Sequence, residues 1–137
     1  MQKYSIVIHG GAGTLLKGMM TLEKEEAYKS ALQTALNIGY DILDNGGSAL
    51  DAVEKAVRSL EDCHLFNAGK GSVFTAEGTH EMDASIMDGQ NIKAGAVSLI
   101  TGIKNPVSLA RDVMEKSDHV FLAGEGAMRF AKGLGYE

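Results

Sequence analysis

Two glycine-shaped turns and one group of acids hold the residue types that could do chemistry in this chain. The first turn is His9-Gly10-Gly11-Ala12-Gly13-Thr14, which follows the apolar run Tyr4-Ser5-Ile6-Val7-Ile8. Glycines placed directly after a buried strand can aim successive N–H groups into one concavity, which suits an oxyanion or a phosphate. The turn lacks the Gly-Lys-Ser/Thr of a Walker loop and the six-residue dinucleotide fingerprint. The second stretch, Leu60-Glu61-Asp62-Cys63-His64-Leu65-Phe66-Asn67-Ala68-Gly69-Lys70-Gly71, holds the only cysteine and one of four histidines. Its exit spaces Gly69 and Gly71 so that the backbone can turn sharply or approach another group closely. A loop of this kind, hung between rigid elements, is where function concentrates.

The acids are Glu81, Asp83 and Asp88. Glu81 and Asp83 share a strand face, where paired carboxylates can act as acid and base, and where solvated charge is equally at home. His9, His64, His80 and His119 show no zinc spacing with Cys63, and no Gly-x-Ser-x-Gly elbow occurs. Thr14, Thr75 and Thr79 are internal and carry no free amine. On residue types alone, the chain has no complete nucleophile constellation.

The elements that must position these residues follow from periodicity. Tyr4–Ile8 is expected as a buried strand. Residues 21–44 carry Tyr28, Ala31, Leu32, Ala35, Gly39, Ile42 and Leu43 at helical spacing, with Thr21 as N-cap and Gly46-Gly47 as the stop. Ser48-Ala49-Leu50-Asp51 resembles a capping box that opens a second helix to about Leu60. Its apolar face is expected to be Ala49, Ala52, Val53, Ala56, Val57 and Leu60. An antiparallel three-strand meander is then expected from Ser72–Thr75, Glu81–Met87 and Ala94–Ile100, with Asp88-Gly89 as a turn. Asn105-Pro106 caps a helix to Lys116, His119–Leu122 is a strand, and Glu125–Lys132 is a last helix. This order predicts an α+β fold, or one half of a layered sandwich, over a single domain, 1–137.

Composition narrows the function classes. The 137 residues, 45% hydrophobic and 23% charged, are ordinary for a globular domain. Glycine is abundant, at 17 residues against a single proline, and the glycines cluster at predicted element boundaries. Net charge is −5 with scattered lysines and arginines, which argues against nucleic acid as a partner. No run approaches the ~20 apolar residues of a membrane span, and residues 1–8 lack signal-peptide features. With one cysteine and so no internal disulfide, a cytoplasmic location is the expectation.

Several stretches together resemble one family. They are Ile8–Gly13, Gly46–Val53, Phe66–Val73, Glu81–Gly89, Lys93–Val97, and Asn105-Pro106 with Ala110-Arg111. In order and spacing they are similar to the α subunit of the plant-type L-asparaginases, also called isoaspartyl peptidases. The resemblance implies an N-terminal nucleophile hydrolase whose precursor cuts itself before a Thr. That Thr then heads a β subunit, with its own amine as general base. It further implies a four-layer αββα sandwich, an (αβ)2 assembly, and hydrolysis of L-asparagine and β-aspartyl dipeptides. No family-type Gly-Thr-Val-Gly processing site occurs up to Glu137, so the nucleophile is expected on the partner chain.

For this chain the resemblance implies supporting roles. Asn67 matches an Asn beside the nucleophile, where its amide orients the amine or hydroxyl. Leu60, Glu61, Cys63, Phe66, Ala68 and Lys70 match a loop whose main-chain carbonyls hold a structural sodium ion, an oxygen-only donor set that suits a hard cation. His9, Gly10 and Gly11 match a turn beside the processing site. Cys63 is expected to be a packing residue. Glycosylasparaginase is the nearest alternative, an amino-acid-kinase-like nucleotide binder is a second, and a non-catalytic interaction domain is a third. The Phe66-Asn67-Ala68-Gly69 loop favours the asparaginase reading.

Overall fold

The computed structural model describes residues 4–13, 18 and 20–136. Among these residues, four α-helices and three strands follow in the order α1 (Leu22–Asp44), α2 (Ala49–Glu61), β1 (Met82–Asp88), β2 (Lys93–Ile100), α3 (Pro106–Lys116), β3 (Phe121–Ala123), α4 (Gly124–Gly133). The sheet order is β1-β2-β3, with β1 antiparallel and β3 parallel to β2. This is an α+β arrangement containing one β-α-β unit, β2-α3-β3.

The helix starts form as their sequences dictate. Thr21 accepts the Lys24 N–H at 3.2 Å, and Ser48 accepts the Asp51 N–H at 3.0 Å while donating to the Asp51 carboxylate. These bonds satisfy amides that the first helical turn leaves without partners. Helices α3 and α4 cover one face of the sheet. Between them lies a core of Ile86, Val97, Ile100, Val107, Leu109, Val113, Ala127 and Ala131. Gly95 lets β2 lie directly on α3, because a Cβ there would strike the Ala110 carbonyl oxygen. The opposite face is open, with Ser85, Met87, Phe121 and Ala123 exposed along it. A second, smaller core of Ala35, Leu60 and Phe66 lies between α1 and the loop after α2, with Ile8, Leu32 and Cys63 packed against it.

The structure corrects three sequence expectations. Residues 4–8 are extended but form no strand, and Val7 is 90% exposed. Their period-2 alternation survives, with Ile6 against Gly39 of α1 and the Tyr4 ring against Tyr40. A strand needs a neighbour to pair with, and the described residues offer this segment none.

The three-strand meander is likewise reduced. Ser72–Thr75 contributes one bridge, Phe74 to His80, because the Val73 N–H is taken by the Asn67 side chain at 3.0 Å. On α2, Ala52, Ala56 and Leu60 are buried, but Val53 and Val57 are exposed and Glu54 and Glu61 are buried instead. The helix is turned so that its acids, not its valines, face α3.

Candidate active site

The loop from Leu60 to Gly71 is built around its own carbonyls. It leaves α2 through Asp62, turns at Cys63 with a 3.1 Å bond to the Leu60 carbonyl, and ends in a single 3-10 turn, Gly69–Gly71. Gly69 has φ +51, and a Cβ on it would strike the Glu61 carbonyl oxygen. A Cβ on Gly71 would strike the Phe66 oxygen and come within 2.8 Å of the His64 oxygen. The two glycines that drew attention in the sequence are therefore required by close backbone approach, and the space they leave is lined by main-chain oxygens.

The six residues expected to supply carbonyls lie together in this loop. Leu60, Glu61 and Phe66 are buried, Cys63 and Ala68 half-buried, and the Lys70 side chain is exposed. The Phe66 and Ala68 oxygens already accept N–H bonds from Ala68 at 2.8 Å and Gly71 at 3.0 Å. A carbonyl has two lone pairs, so each keeps one for a further partner. Among the described residues no group of three His, Cys, Asp or Glu side chains can hold a metal. The oxygen-rich backbone is thus the part of this loop whose chemistry suits a hard cation.

Asn67 is exposed, and its Oδ1 accepts the Val73 N–H. That bond fixes the amide's orientation and leaves the Nδ2 hydrogens as the free, donating end. Asn67 lines a cavity of about 230 Å3 together with Glu61, Ala68, Gly69, Ser72, Glu81, Met82, Asp83 and Pro106. The His9-Gly10-Gly11 turn packs on the same loop, with a Gly10 Cβ position 2.8 Å from Leu32 and 3.2 Å from the Phe66 ring. Gly11 takes φ +100 and donates its N–H to His9 Nδ1 at 3.1 Å. The structure therefore brings two of the sequence-predicted segments together through Phe66.

The acids resolve into structural roles. Asp83 Oδ1 accepts from Ser98 Oγ at 2.5 Å and the Leu99 N–H at 2.9 Å, at the irregularity in the β1-β2 register. The Ser98 and Leu99 donors hold its carboxyl below the usual carboxylate range. Leu99 takes φ +54 there, an unusual conformation for a branched residue, and the Asp83 bond holds it. Asp88 closes the turn to β2 by accepting from the Gln90 N–H at 2.9 Å and from Asn91 at 2.7 Å.

Sequence reasoning counted Glu61 only for its carbonyl. Its side chain is 3% exposed, and Oε1 accepts the Val107 N–H at 2.9 Å, in the first turn of α3. Glu61 thereby takes the capping role expected of Asn105, whose side chain makes no cap bond and donates instead to Asp62 at 3.1 Å. Oε2 is buried without a hydrogen-bond partner. Burial outweighs the bond from Val107 and pushes the carboxyl up to about 7. No local signal reveals this role, because the partner lies 46 residues away.

These features define an α+β chain with a glycine-packed loop that displays an oriented amide, Asn67. A family model described as Asparaginase matches residues 2–137, and the chain belongs to that family. It is 51% identical to an isoaspartyl peptidase of Escherichia coli over 137 residues, all of this chain and 43% of the relative. It is 53% identical to an isoaspartyl peptidase/L-asparaginase of Xenopus laevis over 95% of this chain and 40% of that protein. It is also 53% identical to a plant-type L-asparaginase of Thermococcus kodakarensis, over 97% of this chain and 42% of that one. The chain thus spans about two fifths of the length of these relatives.

The raised Glu61 carboxyl fixes a pH dependence. Between the ordinary value of 4.5 and about 7, the folded state holds a proton that the unfolded chain has already released. Stability from this group is therefore present below pH 4.5 and is lost as pH rises through 7, by up to about 3 kcal/mol. Thermal unfolding of the whole protein should show Glu61→Gln flattening this fall between pH 5 and 8. A Glu61→Gln profile parallel to the wild type would remove the group from the account.

Proposed function

We propose that this chain is the α subunit of an amidohydrolase that hydrolyses L-asparagine and β-aspartyl dipeptides. The observation that carries the proposal is the Asn67 amide, held by Val73 with its Nδ2 hydrogens free, on a loop packed against the His9-Gly10-Gly11 turn. Family membership supplies the chemistry. The nucleophile is a Thr at the start of a β subunit released from the same precursor, activated by its own α-amine. The bond to Val73 fixes which way the Asn67 amide points, so its N–H groups are aimed at a partner oxygen. It donates to the nucleophile's hydroxyl or to the oxygen that develops charge, and the second lone pair of Oδ1 remains for the amine.

The remaining roles follow from the same reading. The open sheet face and the unpaired extended segment 4–8 are surfaces that a second sheet and strand from the β subunit would cover, giving the αββα sandwich and an (αβ)2 assembly. The carbonyls of Leu60, Glu61, Cys63, Phe66, Ala68 and Lys70 would hold a sodium ion, whose contribution is to brace the loop that carries Asn67. His9, Gly10 and Gly11 form the flexible turn near the processing site. No described helix is long and apolar enough to cross a membrane, which accords with the proposed cytoplasmic setting.

Two measurements test these assignments on the processed two-chain protein. Asn67→Asp keeps the acceptor for Val73 but loses the donor, so kcat/KM for a β-aspartyl dipeptide should fall about tenfold or more with little change in Tm. Unchanged turnover would remove Asn67 from the site. Exchanging sodium for a bulky organic cation should lower Tm, and an unchanged Tm would contradict the cation assignment.

A further inference from the structure

The cavity that holds Asn67 shares a wall with a larger one of opposite charge. Gly69, Ser72 and Met82 line both. The Asn67 side carries Glu61, Glu81 and Asp83. The other side, a cleft of about 500 Å3, is lined by Lys70, Lys104, His80 and Asp62. Lys104 Nζ lies 3.4 Å from Asp62 Oδ1, which also accepts from Asn105 at 3.1 Å. Two lysines thus share the cleft with one carboxylate that already has partners, on a chain whose net charge is −5.

Further hydrogen-bonding groups complete the cleft. Ser72 Oγ and His80 Nδ1 are 3.0 Å apart, and the His80 ring is held beside Phe74 at a centroid distance of 4.4 Å. When Ser72 donates to Nδ1, Nε2 keeps the ring proton and is left as a donor. A cleft with an excess of cations and further donors suits a small carboxylate.

We propose that Lys104 and Lys70, with the Ser72–His80 pair, form a leaving-group subsite for the carboxylate of the amino acid released from a β-aspartyl dipeptide. The inference rests on the hydrolase reading above. Hydrolysis breaks the side-chain amide C–N bond, water supplies the hydroxyl to the carbonyl carbon and the proton to the nitrogen, and the amine leaves. In a β-aspartyl dipeptide that nitrogen belongs to an amino acid whose carboxylate lies two covalent bonds away. In asparagine the leaving group is ammonia and has no carboxylate. The site that receives this carboxylate must adjoin the one that holds the reacting carbonyl, and the shared wall of Gly69, Ser72 and Met82 provides that adjacency. Lys104, its side chain 79% exposed, is free to swing from Asp62 to a ligand. The subsite is thus a device for preferring peptides over asparagine.

The test compares β-aspartyl-leucine with its C-terminal amide on the processed two-chain enzyme. The wild type should favour the free acid in kcat/KM by about two- to fivefold, the size of one exposed charge contact, and the preference should shrink with added salt. Lys104→Gln should move the ratio towards one, Lys104→Glu should invert it, and Lys104→Arg should preserve it. A ratio identical in wild type and Lys104→Glu would overturn the subsite while leaving the hydrolase reading intact. A wild type that hydrolyses neither peptide would overturn both.

Discussion

The structure depends on a polar seam between α2 and α3. Asp51, Glu54 and Glu61 lie on one side of α2, at spacings of three and seven residues, and each reaches a donor on α3. Asp51 and Glu54 accept from Arg111 at 2.6 and 2.8 Å, Glu54 also accepts from Ser108 at 2.6 Å, and Glu61 accepts the Val107 N–H. Glu54 and Glu61 are buried, so the seam is high-stakes: deleting one partner would leave an uncompensated polar group in the interior. The seam joins the two hydrophobic cores. On one side stand α1 and the loop with Phe66, on the other the sheet with α3 and α4. Glu61 is its last member and the loop that carries Asn67 follows directly, so the position of Asn67 is referred back to α3.

Glycine solves the complementary problem within the loop. Main-chain oxygens of Glu61, His64 and Phe66 crowd the returning chain at Gly69 and Gly71, where any side chain would collide. A loop packed this closely on its own backbone has little freedom. An amide displayed from it is pre-organised, which lets it act as a directed donor. The same crowding accounts for the indifference to side-chain type at Lys70, which is exposed while its backbone stays in the turn.

The helices were legible in the sequence because their signals are local. Thr21 and Ser48 cap as their types suggest, Gly46-Gly47 stops α1, and the small residues Ala35 and Gly39 mark its buried stripe. Asp88-Gly89 announces the turn between β1 and β2 for the same reason. Strand pairing was legible only where a tight turn joins the two strands, as between β1 and β2, because elsewhere it depends on a distant partner. Residues 4–8 alternate correctly yet have no described neighbour, and one side-chain bond from Asn67 to Val73 is enough to divert the Ser72–Thr75 arm from a ladder. At α2 an apolar pattern that included Val53 and Val57 gave the wrong rotation, since buried ion pairs with Arg111 outweighed two valines. The capping by Glu61 and the cleft at Lys104 both join residues far apart in the chain, and no spacing rule reaches them. Family resemblance pointed to these segments, and the geometry then showed that the Asn67 oxygen accepts from Val73.

Under the proposed function, this chain displays its donor to a nucleophile carried by a second chain cut from the same precursor. Intact mass of the native protein, with sequencing of each N-terminus, tests that most directly. The account predicts two chains in equal amounts, the second beginning with Thr. A single uncleaved chain that hydrolyses β-aspartyl dipeptides at full rate would contradict it.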